Sequence, residues 1–165
     1  IKVFNEFPLF SAQSYLLVKG EKALLIDCGY LSDELIQALK DVTLCGVIIT
    51  HGHFDHIRGI DNLKKLYPDL KIFYNQTDIN FLSNPINNCS RFADKNDVVI
   101  NAETISLSEG IHAVGEFEFE VIYTPGHTKD SMSILFPKEN VIFTGDFLFP
   151  RTVGRCDLPT SSIVI

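Results

Sequence analysis

The stretch THGHFDH concentrates side chains that bind metal ions. It holds His51, His53 and His56, which are three of the five histidines in the chain, together with the carboxylate of Asp55. Imidazole nitrogens and carboxylate oxygens are the donors that borderline divalent metals prefer. The glycine between the first two histidines lets the backbone turn tightly between two ligands. This spacing predicts a metal-binding loop rather than a set of unrelated surface histidines.

Two later segments place a similar donor just beyond an apolar run. In VIYTPGHT the donor is His127, and in VIFTGDF it is Asp146. Taken alone, a histidine after Pro-Gly or an aspartate after Gly is an ordinary turn residue. The THGHFDH stretch also follows an apolar run, GVIIT, and the carboxyl ends of strands are where α/β sheets place their ligands. We therefore expect the three segments to form one site.

The elements that must position these donors follow from the apolar patterns. A Gly-Glu turn joins two strands into a hairpin, and Ser32 caps the first helix. Residues 83–98 are polar and predict a surface loop or short helical turns. The predicted helices span 32–40 and 57–67, and the predicted strands span 15–19, 22–28, 46–50, 71–74, 104–107, 111–114, 117–123, 132–136 and 141–144. Strand-rich halves with interspersed helices predict an α/β fold in which two sheets pack face to face with helices outside.

Composition limits the class of protein. A chain of 165 residues with 45% hydrophobic residues can form one globular domain with a real core. The net charge of −7 argues against nucleic acid as a partner, since such binding needs clustered Lys and Arg. No apolar run is long enough to span a membrane. The four cysteines are far apart and are expected to be reduced and structural. We expect a cytoplasmic protein that acts on a small molecule.

Five segments carry a resemblance to a known family. LLIDCG, IITHGHFDHIRGI, TPGHT, FTGDFLF and VGRCDLP occur in this order and cover nearly the whole chain. Together they resemble the metallo-β-lactamase-fold hydrolases, and most closely the compact glyoxalase-II-like, or hydroxyacylglutathione hydrolase-like, group. The resemblance implies a four-layer αββα sandwich with a centre for two divalent metal ions, with zinc as the first choice and iron or manganese as alternatives.

The resemblance also implies a role for each donor. One metal would be bound by His51, His53 and His127, the second by Asp55 and His56, and Asp146 would bridge the two. Asp55 would also be the catalytic residue that positions a water molecule and takes its proton. Substrate-binding residues are not predicted, but Arg155 and Asp157 are expected to brace a loop near the site, and Tyr123 to lie at the edge of the core.

The chain departs from the family pattern at its end. The family's last strand carries a further histidine in a Gly-His-Gly context, whereas this sequence stops at TSSIVI. His112 lies in an alternating segment and is expected to be a surface strand residue. We therefore expect residues 1–165 to form a single metallo-β-lactamase-like domain without its C-terminal strand and helix, and with an incomplete second metal site.

The resemblance implies a hydrolase that cleaves a thioester such as S-lactoylglutathione by means of a metal-bound hydroxide. One alternative is a persulfide dioxygenase of the same fold, which uses one iron held by two histidines and one aspartate. His51, His127 and Asp146 would form that triad. Another alternative is a different small-molecule or nucleic-acid hydrolase of the same fold. The oligomeric state is not predicted.

Overall fold

The computed structural model describes residues 1–5, 12–77, 80–93 and 96–161. Its larger sheet, sheet A, has six strands in chain order. The first two pairs of neighbouring strands are antiparallel, and the other three pairs are parallel. The strands are β1 (Lys2–Asn5), β2 (Gln13–Lys19), β3 (Lys22–Ile26), β4 (Thr43–Ile49), β5 (Ile72–Tyr74) and β6 (Ile105–Ser106). Parallel pairs need crossover connections, and the helices supply them.

Sheet B has four antiparallel strands in the order β10-β9-β8-β7. These strands are β7 (Gly110–Val114), β8 (Phe117–Tyr123), β9 (Met132–Phe136) and β10 (Val141–Phe143). A small hairpin of β11 (Leu148–Phe149) and β12 (Thr152–Val153) follows. Each strand of sheet B is joined to the next by a short turn or loop, as expected for antiparallel neighbours.

The four helices among the described residues are short. They are α1 (Asp33–Leu39), α2 (Phe54–Ile57), α3 (Ile60–Leu66) and α4 (Ser90–Ala93). The predicted cap of α1 is confirmed, since the Ser32 hydroxyl accepts a hydrogen bond of 3.1 Å from the backbone N–H of Leu35. No helix among the described residues has the length and apolar character needed to cross a membrane.

Alternate residues of β3 enter two different cores, which accounts for its continuous apolar sequence. Ala23 and Leu25 pack in the core that lies under the helices, whereas Leu24 and Ile26 pack in the core between the two sheets. Sheet A is therefore covered on both faces. The outer face of sheet B carries no helix among the described residues. The predicted α/β architecture, with two sheets packed face to face and helices on the outside, is thus observed, with the described helices over sheet A.

Two predicted elements differ from the structure, and three observed strands were not predicted. The predicted helix over 57–67 begins earlier and is broken between α2 and α3, because the N–H of Gly59 donates to the Cys28 carbonyl and a side chain there would overlap the Cys28 thiol. The segment 83–98 contains one short helix, α4, in agreement with the predicted short helical turns, but it is not wholly at the surface, since Asn88, Cys89 and Ser90 are buried. Residues 94–95 lie outside the described residues. Strands β1, β11 and β12 were not predicted.

Candidate metal centre

The loops that carry the predicted donors meet at one edge of the two sheets. The loop with His51 and His53 follows β4 of sheet A, whereas His127 follows β8 and Asp146 follows β10 of sheet B. A hydrogen bond of 2.9 Å from the Met132 N–H to the Thr50 carbonyl joins the end of β4 to the start of β9. The strand ends of both sheets are thus held side by side at this edge.

Three buried imidazoles form the first group of possible ligands. His53 Nδ1 lies 3.2 Å from His51 Nε2 and 2.8 Å from His127 Nε2. These nitrogens all lie within 4.8 Å of one another. A neutral imidazole has one donor and one acceptor nitrogen, so hydrogen bonds between the rings cannot satisfy all three facing atoms. A cation shared by the three nitrogens would satisfy all of them.

A second group is formed by His51, His56 and Asp146, whose facing atoms also lie within 4.8 Å of one another. His56 Nε2 is 3.3 Å from Asp146 Oδ1, and His127 Nε2 is 3.6 Å from Asp146 Oδ2. Asp146 therefore contacts both groups. Asp55 lies further out, with its Oδ2 4.0 Å from His56 Nε2, and its side chain is 21% exposed. The structure thus brings together all six of the predicted donors, with Asp55 at the margin.

The donor set fits divalent metal ions. His56 Nε2 is buried and has no hydrogen-bond partner among the described residues, although Asp146 lies at ion-pair distance. A buried polar atom without a partner is costly and needs an explanation. Neutral imidazole nitrogens with one or two carboxylates are the ligands of zinc and similar metals. A cation at the centre of the cluster would satisfy His56 Nε2.

Burial and mutual repulsion keep two of the rings neutral. Burial, followed by the neighbouring imidazoles, lowers the pKa of His51 well below its usual value and lowers the pKa of His53 to about 3. For His56 burial acts in the same direction, but the nearby carboxylates of Asp27 and Asp55 raise its pKa well above the usual value. Burial also opposes ionisation of Asp146, yet the adjacent imidazoles hold the pKa of this carboxyl below its usual range. Neutral rings and an ionised carboxylate are the forms that bind metal.

Asp27, which the sequence analysis did not identify, contacts the cluster through the outward-facing nitrogen of His56. This carboxylate is almost fully buried. Its Oδ1 accepts from the Thr50 N–H at 2.7 Å, and its Oδ2 lies 2.8 Å from the Thr50 hydroxyl and 2.7 Å from His56 Nδ1. It therefore fixes the orientation of the His56 ring. The available signal was a single acidic residue at the end of the buried strand in LLIDCG.

Two other rings are also held through the nitrogen that faces away from the cluster. His51 Nδ1 lies 3.3 Å from the Thr50 hydroxyl, and His127 Nδ1 lies 2.8 Å from the backbone carbonyl of Arg155. The Arg155 side chain forms two hydrogen bonds, of 2.7 and 2.8 Å, with the carboxylate of Asp157. Both side chains are exposed, and their role in bracing the loop whose carbonyl contacts His127 stays a prediction.

Asp130 joins two of the donor loops and was also missed. Its Oδ2 accepts from the Gly52 N–H at 2.7 Å and from the Tyr74 hydroxyl, and its backbone carbonyl accepts from the Asn75 side chain at 3.1 Å. Burial raises the pKa of Asp130, and the hydrogen bonds that its carboxylate accepts counter only part of this effect. Asp130 therefore fixes the backbone between His51 and His53.

Three of the predicted donors line a cavity of about 860 Å³. These donors are Asp55, His56 and Asp146, and Ile142 and Phe149 are among the apolar residues that also line the cavity. Cavities of this size suit small-molecule ligands. The donors are thus accessible to a substrate.

Two further residues lie outside the cluster, as the sequence analysis expected. His112 is on β7, where its Nε2 lies 2.8 Å from the Ser108 carbonyl. Tyr123 ends β8, and its hydroxyl donates to the Leu107 carbonyl at 2.8 Å. Neither side chain lines the cavity.

Comparison with known proteins identifies the class. The sequence pattern of the metallo-β-lactamase superfamily matches residues 8–163, so the chain belongs to this superfamily of metal-dependent hydrolases. A probable metallo-hydrolase of Streptococcus pyogenes is 33% identical over 156 residues, which are 90% of this chain and 67% of that protein. The hydroxyacylglutathione hydrolase GloC of Haemophilus influenzae is 30% identical over 155 residues, 91% of this chain and 73% of that protein.

Solved structures agree with this assignment. The B3 metallo-β-lactamase BLEG-1 superposes with a TM-score of 0.88 at 29% identity, over 97% of this chain and 78% of that one. A protein named TTHA1623, crystallised in a di-iron-bound form, superposes with a TM-score of 0.83 at 26% identity, over 98% and 79% of the two chains. The fold and family are therefore shown, and they imply that the chain binds divalent metal.

Proposed function

We propose that this protein is a metal-dependent thioester hydrolase that acts on a small acyl thioester, with S-lactoylglutathione as the first substrate to test. The observation that carries the proposal is the cluster of four imidazoles and two carboxylates, of which Asp55, His56 and Asp146 line an open cavity. Its similarity to the hydroxyacylglutathione hydrolase GloC supports the choice of substrate. We further propose that the protein is cytoplasmic.

Each predicted donor has a proposed role. We assign His51, His53 and His127 to one metal ion and Asp55 and His56 to a second, with Asp146 shared between them. Zinc is the proposed metal, although a similar protein holds two irons. When bound, such ions supply Lewis acidity, which lowers the pKa of water and polarises a carbonyl group.

The side chains of the protein would perform the remaining steps. Burial raises the pKa of Asp55, and this carboxylate lines the cavity beside His56. It is placed to orient a water molecule and to accept its proton as the water attacks the thioester carbonyl. Asp27 and the Arg155 carbonyl keep two of the imidazoles in a fixed orientation throughout. The apolar walls of the cavity reduce the exposure of the reacting group to bulk water.

The test combines metal analysis with turnover. The full-length protein is purified, its metal content is measured by elemental analysis, and hydrolysis of S-lactoylglutathione is followed by thiol release. His51→Ala should lose bound metal and about 100-fold or more of the activity, since His51 contacts both groups of donors. His112→Ala is the matched control, because this histidine lies outside the cluster, and it should retain both.

Two results would overturn the proposal. A protein that binds two metals but hydrolyses no thioester is not a thioesterase. One iron per chain, with sulfite formed from a glutathione persulfide, would identify the dioxygenase alternative instead. That alternative leaves His53, Asp55 and His56 without ligand roles, although the structure places all three beside the other donors.

A further inference from the structure

His53 differs from the other imidazoles of the cluster in the atom that its outward-facing nitrogen contacts. In three rings the nitrogen that faces away from the cluster contacts an oxygen, which belongs to a hydroxyl, a carboxylate or a backbone carbonyl. In His53 that nitrogen is Nε2, and it lies 3.5 Å from the thiol sulfur of Cys89. The opposite nitrogen, Nδ1, faces His51 and His127. His53 is therefore oriented with Nδ1 toward the centre and Nε2 toward sulfur.

The turn that carries Cys89 is attached to the His53 loop by a second contact. The N–H of Phe54 donates to the Asn88 carbonyl at 2.9 Å. The Asn88 side chain is fully buried, donates to the Val98 carbonyl at 2.8 Å and accepts from the Ser90 N–H at 3.0 Å. The position of the thiol relative to the imidazole is thus fixed by hydrogen bonds of the residues next to His53 and Cys89.

The chemistry of imidazole gives this contact a consequence. A neutral ring carries its proton on one nitrogen, and only the other nitrogen can bind a metal. An acceptor placed at Nε2 favours the tautomer in which Nε2 carries the proton, which leaves Nδ1 free as the ligand atom. Partners of this kind behind metal-binding histidines commonly change metal affinity by about 10–100-fold when removed.

We propose that Cys89 is a positioning residue of the metal centre, whose sulfur accepts a hydrogen bond from His53 Nε2–H and so presents Nδ1 to the metal. The role rests on the proposed function only in requiring that His53 is a metal ligand. It requires no particular substrate. Cys89 acts here as a hydrogen-bond acceptor and neither binds the metal nor reacts.

The experiment compares three variants of the full-length protein. Affinity for Co²⁺ is measured by competition with a chromophoric chelator, and the visible absorption spectrum of the Co²⁺ form is recorded. Cys89→Ala removes the acceptor, so its affinity should fall by about 10–100-fold and its spectrum should change. Cys89→Ser keeps an acceptor and should stay within a few-fold of wild type. Cys45→Ala, which removes a half-buried thiol that donates to the Thr43 carbonyl, should leave both readouts unchanged.

The outcomes separate positioning from simple packing. If Cys89→Ala binds Co²⁺ as tightly as wild type and gives the same spectrum, the proposal is wrong. It is also wrong if the serine and alanine variants lose affinity equally, because the bulk of the thiol would then matter rather than its hydrogen bond. Urea unfolding of the metal-free variants shows whether they fold. Loss of Co²⁺ affinity in a protein that hydrolyses no thioester would support this inference while refuting the proposed substrate.

Discussion

Replacing Asp130 by alanine should destabilise the protein by about 2–4 kcal/mol. The substitution leaves the Gly52 N–H and the Tyr74 hydroxyl without their acceptor. Each buried group left without a partner costs about 1–3 kcal/mol, which gives about 2–6 kcal/mol for the pair. Part of this is offset, since the desolvation cost of the buried Asp130 carboxylate disappears. The net loss is a large fraction of a typical stability of about 5–15 kcal/mol.

The assay is urea unfolding of the metal-free protein, with Tyr74→Phe and the double variant measured beside Asp130→Ala. Since Tyr74→Phe removes the hydroxyl that Asp130→Ala would leave without a partner, the double variant should be more stable than the sum of the single effects by about 1 kcal/mol. Asp41→Ala, at an exposed carboxylate, is the control and should change little. A free energy of unfolding for Asp130→Ala within about 0.5 kcal/mol of wild type would refute the reasoning, as would strictly additive effects.

Two other predictions concern the donor loop. Gly52→Ala should lower the free energy of unfolding by at least about 1–3 kcal/mol and reduce metal content. The reason is that an added Cβ would overlap the Cβ of Phe81, which cannot move without its backbone. Normal stability and metal content would contradict this. The lowered pKa of His53, about 3 against 6.5 in an unfolded chain, gives stability that is complete above about pH 6.5 and is lost as the pH falls toward 3. As the pH falls from about 6 to 4.5, the free energy of unfolding of the metal-free protein should therefore decrease more steeply than that of His53→Asn. The difference between the two slopes should be up to about 1.4 kcal/mol per pH unit. Equal slopes would rule out a neutral buried His53.

Much of the donor cluster could be predicted because its signals are local. Three histidines and an aspartate in seven residues are visible without any knowledge of the fold, and the apolar runs before His127 and Asp146 place those residues at strand ends. The structure brings these residues together. Their roles as metal ligands stay predictions until metal content is measured.

The supporting residues could not be predicted in the same way. Asp27, Cys89 and Asp130 are single residues whose partners lie 29, 36 and 78 positions away in the chain. No spacing rule connects such pairs, since their contact depends on how the folded chain brings distant loops together. The break before α3 was missed for a related reason: the apolar periodicity continues through Gly59, and only its contact with Cys28 shows why the helix is interrupted.

The donors come from loops of two different sheets, and this links metal supply to the persistence of the folded chain. A bound ion would connect the end of β4 in sheet A to the loops after β8 and β10 in sheet B. Binding to the folded state alone adds RT ln(1 + [L]/Kd) to the free energy of unfolding, or about 4 kcal/mol at a free concentration a thousand times Kd. In a cell short of the metal, a smaller fraction of the protein would then be folded, in addition to a smaller fraction being loaded with metal.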